Sequence, residues 1–255
     1  MDCLGKVRTY YGLSNRNTHK IAYECTKALS EQEGVSGLIL ATYGGLIAEA
    51  AGKSYDYSDL PDEPEEAMRL ALNTALKGGD LDPLSARAAR EVGFVYSWQG
   101  AFSFMSEWFA RANELNPNDT SVAASYGYGL VLSGEYAKAI PIFKNAIGAS
   151  TRHPSWWDFY FAIALLMEER FEEANEAIIP MGLSKRSLLY SMLNAVLAYR
   201  LGNRHRSAFL VRSLRERYPK FAADPRGNFQ NRHFPQDLIN NLVEALEKSG
   251  LKGNR

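Results

Sequence analysis

Four histidines, His19, His153, His205 and His233, are the residues best suited to proton transfer or metal ligation in this 255-residue chain. They fall in expected turns or helix starts and share no ligand spacing, so no bound metal is expected. Paired carboxylates at Glu168-Glu169 and Glu172-Glu173 could act as acid and base. They flank a helix turn, however, and read as a solvated face and helix-start charge. Gly44-Gly45 lies inside an apolar stretch, where it suits close helix packing rather than a phosphate loop. The serines have no paired base in any recognisable arrangement. No catalytic residue and no cofactor is therefore expected, and the chain is read as a non-enzyme. Cys3 and Cys25 could meet across a helical hairpin, but the preferred reading is two small, buried, reduced thiols.

The bulk charges narrow the partners. Net charge is zero, so whole-molecule attraction to nucleic acid or an acidic membrane is not expected. The charges are unevenly placed all the same. Residues 1–83 carry a balance of −5, residues 84–183 of −4, and residues 184–255 of +9. The longest apolar run, Phe159 to Met167, is far short of the ~20 residues that span a bilayer. The N-terminus shows no basic region followed by an apolar core and cleavage site, so a cytoplasmic location is expected.

The elements that position these residues come from a repeat. Gly93, Gly100, Phe102, Phe109 and Ala112 recur, at a separation of 34, as Gly127, Gly134, Tyr136, Phe143 and Ala146. Tyr96 and Pro117 complete the first copy, and Ala139 fills a small position in the second. Glycine inside a first helix admits the second helix closely. Glycine after it takes positive φ at least cost. This spacing of small and aromatic residues is that of the tetratricopeptide repeat.

Weaker copies extend the pattern both ways. Phe171 and Ala174 follow Tyr136 and Ala139 at a spacing of 35, with Glu169 standing where glycine was. Gly202 and Pro219 frame a later hairpin. Met68, Leu72 and Ala75 give a second-helix stripe upstream, and Ile21, Cys25 and Ala28 give an earlier one. The expected architecture is all-α, a single right-handed solenoid over 1–255. Its helix pairs lie near 2–30, 34–78, 85–116, 119–150, 154–180 and 184–218, with a capping helix at 235–250. One connection, residues 52–64, is long and acidic, and reads either as a functional edge or as a solvated insertion.

In such arrays the first helices of successive pairs line the inner face. The register projects Arg87, Arg90 and Phe94 there, then Ser121, Ala124 and Tyr128, then Trp156, Phe159 and Tyr160, then Leu189, Met192 and Val196. The candidate partner groove is thus Arg87, Arg90, Phe94, Tyr128, Trp156, Phe159, Tyr160 and Met192, aromatic and apolar with a basic end. It would suit an amphipathic helix or an apolar segment better than an acidic tail. The competing reading has Trp156, Phe159 and Tyr160 packed against neighbouring helices or the final one.

The chain resembles the C-terminal tetratricopeptide region of bacterial class III adenylate/guanylate cyclases and of related winged-helix regulators. The residues that carry this are Asp2-Cys3-Leu4, His153-Pro154-Ser155-Trp156-Trp157, Pro180-Met181-Gly182, Tyr218-Pro219-Lys220-Phe221, and Phe234-Pro235-Gln236-Asp237-Leu238 through Lys248-Ser249-Gly250-Leu251. The resemblance implies a regulatory interaction scaffold associated with a bacterial signalling effector, and no effector residue can be carried over. Protein or peptide partners are expected, and the opposed end charges make head-to-tail self-association an option. The alternative is a sensor that binds a small apolar ligand or peptide signal in the concave groove.

Overall fold

The computed structural model describes residues 2–180 and 187–251. Among these residues the chain forms fifteen α-helices and no strand, the all-helical class that the periodicity predicts. Along the chain the helices run α1 (Cys3–Leu13), α2 (Arg16–Ser30), α3 (Gly37–Gly52), α4 (Pro64–Leu81), α5 (Ala86–Gln99) and α6 (Phe102–Leu115). Then come α7 (Thr120–Leu132) and α8 (Tyr136–Gly148), α9 (Ser155–Met167) and α10 (Phe171–Ala177), and α11 (Leu188–Arg200) and α12 (Arg204–Arg217). The expected start of the sixth pair at 184 lies outside the described residues, as do Met181 and Gly182. Two short helices, α13 (Pro219–Ala223) and α14 (Pro225–Gln230), precede the expected cap, α15 (Gln236–Lys248).

The turn chemistry follows the repeat. Gly100, Gly134 and Gly202 close first helices at φ of 69°, 76° and 77°. Glu169 holds the equivalent place between α9 and α10 at φ 57°, so the register survives the loss of glycine at the cost of a left-handed glutamate. Asp2, Asn15, Ser36, Ser85, Ser187 and Asn203 cap helix starts with side-chain oxygens that accept backbone N–H groups.

The chain divides into two compact units, residues 1–129 and 130–255. In the first, glycines let helices meet at backbone distance. A Cβ on Gly44 would stand 2.6 Å from Ala75 N, and one on Gly78 would stand 2.4 Å from Ala41 N. Phe109 fills the space left by two glycines, since a Cβ at Gly93 or Gly129 would come within 2.6 or 2.8 Å of its ring. Close packing therefore explains Gly44 and Gly93 as expected.

Two expectations in this unit are overturned. Helix α2 buries His19, Ala22, Tyr23 and Thr26, while Ile21 and Ala28 are exposed, so its inward face is turned from the expected aliphatic stripe. Cys3 and Cys25 are also not separate thiols: they form a disulfide between α1 and α2, with Cα atoms 5.7 Å apart.

The connection from α3 to α4 explains the rotated face. It is neither a free insertion nor a loose edge, because alternate residues turn inward as a strap. The Tyr55 and Tyr57 rings lie 5.0 and 5.7 Å from the His19 ring. Tyr57 Oη is 2.8 Å from His19 Nδ1, and His19 Nε2 donates to Leu46 O at 3.1 Å. Asp59 accepts from Tyr23 at 2.7 Å and pairs with Lys27 at 2.8 Å. A buried imidazole can sit on the inward face of α2 because both of its nitrogens are used.

In the second unit, α15 covers α11, with Leu238, Leu242 and Leu246 buried. Arg200 reaches Asn241 Oδ1 at 3.0 Å and Glu244 at 3.3 Å, and Tyr136 donates to Asp237 Oδ1 at 3.0 Å. Phe229 of α14 stacks on Phe234 at 5.8 Å, which fixes the entry to the cap.

Candidate functional site

The candidate groove residues fall into two groups, one in each unit. In the first unit Arg87, Arg90 and Phe94 lie on α5 and Tyr128 on α7, and the structure brings them together. The Phe94 and Tyr128 rings stack at 6.0 Å, and the Arg90 guanidinium lies 5.8 Å from the Phe94 ring. Phe94 meets Phe109 edge-on at 5.1 Å, so the aromatic pair rests on the glycine-framed ring described above.

Charge at this place differs from expectation. Arg87 Nε donates to Asp119 Oδ2 at 2.7 Å, and Arg90 pairs with Glu91. Arg90 also donates to Ser121 Oγ at 2.9 Å, and that hydroxyl donates to Asp119 Oδ1 at 2.6 Å. Tyr11 of α1 donates to Glu91 Oε2 at 3.0 Å. One polar chain thus runs from α1 through α5 to the start of α7, and it neutralises both arginines. The expected basic end is absent as free charge. Burial would raise the Asp119 carboxyl, but hydrogen bonds from Ser121 and Arg87 outweigh it and hold the carboxyl below the usual range. Burial likewise opposes the Arg90 charge, and Glu91 and Tyr11 more than restore it. Arg90 Nε is buried without an acceptor among the described residues.

In the second unit the four residues separate. Phe159 is 1% exposed and Met192 0%, so both belong to the core and offer no surface. Helices α9 and α11 carry apolar residues all round, which leaves no polar face by which the sequence could phase them. Trp156 and Tyr160 are half-buried, in edge-on contact at 6.3 Å, and Tyr160 meets Phe234 at 6.5 Å. For Tyr160, packing against the approach to the final helix is what the structure shows. The nearby His153 Nε2 lies 2.8 Å from Asp158 Oδ1, with its ring stacked on Trp157 at 5.3 Å. Burial pushes the Asp158 carboxyl up, and His153 partly opposes this. That pair fixes the first turn of α9. Sequence reasoning missed it because His153 lies outside the helix that it braces.

Among the described residues no group of three or more His, Cys, Asp or Glu side chains is placed to hold a metal ion. No described helix is long and apolar enough to cross a membrane.

No family model matches the chain, and no curated protein matches it. Solved structures do share its fold. Similarity extends to YrrB, described as a TPR protein with an unusual peptide-binding site, at 16% identity, TM-score 0.50, over 86% of this chain and 97% of that one. It extends to pilF of Pseudomonas aeruginosa at 17% identity and TM-score 0.54, over 85% and 89%. The Cut9–Hcn1 hetero-tetramer of the APC/C aligns at 12% identity and TM-score 0.51, over 92% of this chain and 54% of that one. The fold is therefore that of a tetratricopeptide-type array of helical hairpins.

Proposed function

We propose that this chain is a protein-interaction scaffold that binds an extended or helical peptide segment across the α5–α7 face of its first unit. The observation that carries the reading is the Phe94–Tyr128 stack, held on Phe109 and flanked by arginines whose charge is already matched. Such a surface favours an apolar or aromatic peptide side chain over an acidic tail, because no net positive charge is left to reward one. Arg90 Nε, buried without an acceptor among the described residues, is an unmet donor in the same place. That YrrB is described as having a peptide-binding site agrees with this reading. Association with a cyclase or a winged-helix regulator rests on the motif resemblance alone.

The test is selection of random peptides on the immobilised full chain, followed by affinity measurements. Enriched peptides should carry an apolar or aromatic anchor and lose about tenfold or more in affinity for Tyr128→Ala. Peptides that bind Tyr128→Ala and Arg87→Ala as well as the wild type would place recognition elsewhere.

A further inference from the structure

Helix α12 carries an unusual outer face, distinct from the α5–α7 surface. Phe209 is 65% exposed at its centre. His205, Arg206 and Arg212 lie one turn away on either side, and Arg204 and Arg215 flank them; Glu216 is the only acid on the helix. Among the described residues none of these cations pairs with a carboxylate. Arg204 lies 3.7 Å from the Tyr199 ring centroid. Arg206 reaches Asn194 Oδ1 at 3.3 Å, Arg215 reaches Gly250 O at 2.6 Å, and Arg226 beyond the helix reaches Asn240 Oδ1 at 3.0 Å. Every one of these partners is neutral. By contrast Lys27, Lys53, Arg87 and Arg90 in the first unit each meet a carboxylate.

A complementary face exists on the same chain. Asp56, Asp62, Glu63 and Glu65, on the strap and at the start of α4, are exposed, and among the described residues none of their carboxylates pairs with a basic side chain, although Arg16 reaches the Asp56 carbonyl at 3.4 Å. The α4 helix dipole accounts for Glu63 and Glu65 being tolerated there, but their charge still faces solvent. Leu70, one turn beyond Glu66 on the outer side of α4, is 39% exposed. Each face therefore combines unmatched charge of one sign with one exposed apolar residue.

We propose that the outer face of α12 is a contact surface for a second copy of this chain, receiving that copy's strap acids and the start of its α4, with Phe209 against the Leu70 side. The two patches differ, so the contact is heterologous and can extend from copy to copy. Unmatched charge of opposite sign would set its register and make it sensitive to salt.

Sedimentation of the full chain tests this. The wild type should self-associate at low salt, and the association should weaken by at least about tenfold between roughly 50 and 300 mM salt. Two variants confined to exposed side chains, Arg206→Glu with Arg212→Glu, and Asp62→Lys with Glu63→Lys and Glu65→Lys, should each be monomeric. Mixed together they should associate again, since an intact α12 face then meets an intact acidic face and the two reversed faces are once more opposite in charge. A wild type that stays monomeric at low salt overturns the proposal. So does self-association that survives the α12 reversal, or a mixture that remains monomeric.

Discussion

Tyr11 and Glu91 meet across 80 residues of chain, the phenol donating to the carboxylate at 3.0 Å. Glu91 is 1% exposed, yet it carries the counter-charge for Arg90 as well. This contact ties the first hairpin to the helix that presents Phe94. It makes the polar chain beneath the candidate groove a structural element before it is a binding one.

Removing that carboxylate should be costly. Glu91→Ala leaves a buried guanidinium without its partner, and a loss of about 3–5 kcal/mol is expected in urea unfolding. Replacing Arg90 and Glu91 together with apolar residues of similar volume should cost far less, since no buried charge is then left alone. Equal losses in the two variants would show that the ion pair is not the source.

The left-handed residue between α9 and α10 gives a second test. Glu169→Gly should raise stability by about 1 kcal/mol, because glycine adopts φ 57° without the Cβ penalty. Gly134→Ala, where a Cβ would meet nothing within 4 Å, should lose a similar amount from backbone strain alone. Thermal midpoints moving in opposite directions would support one register for both hairpins.

Buried His19 sets a pH dependence. Burial is the main cause that lowers its pKa from 6.5 to about 4. Between these values the unfolded chain takes up a proton that the native imidazole refuses. Stability therefore falls as pH drops from 6.5 towards 4, by roughly 3 kcal/mol at most. Asp59 and Asp119, held below the usual carboxylate range, lose their contributions at lower pH than this window. The difference in unfolding free energy between pH 7 and pH 4.5 should shrink clearly in His19→Gln. An unchanged difference would assign the effect to other groups.

The cysteine pair is checked by intact mass. The protein prepared without reductant should be lighter by two hydrogens than its reduced form. Cys3→Ser with Cys25→Ser should lower stability by about 2–4 kcal/mol relative to the oxidised wild type. A mass that does not change on reduction would restore the expectation of free thiols.

Where the sequence was legible, one force dominated. Gly93 is set by close approach to Phe109, and Gly100 and its copy Gly134 by turn geometry, and both constraints leave a residue-type signature. The face of α2 was not legible, because what buries it is a strap of tyrosines that sequence places in a loop. His19 reads as a turn histidine until Tyr57 and Leu46 are seen around it. Phe159 and Met192 were misplaced on the surface because helices without a polar side give no phase. The neutralisation of Arg87 and Arg90 was hidden because Asp119 is a distant cap residue and Glu91 is simply the next residue on the same helix.

The most direct test of the recognition surface is site-specific photo-crosslinking with an enriched peptide. A benzophenone side chain replacing Tyr128 should form an adduct with the peptide, and the same group at exposed Asn73 on the outer side of α4 should not. Adducts of equal yield at both positions, or none at 128, would contradict peptide binding on the α5–α7 face.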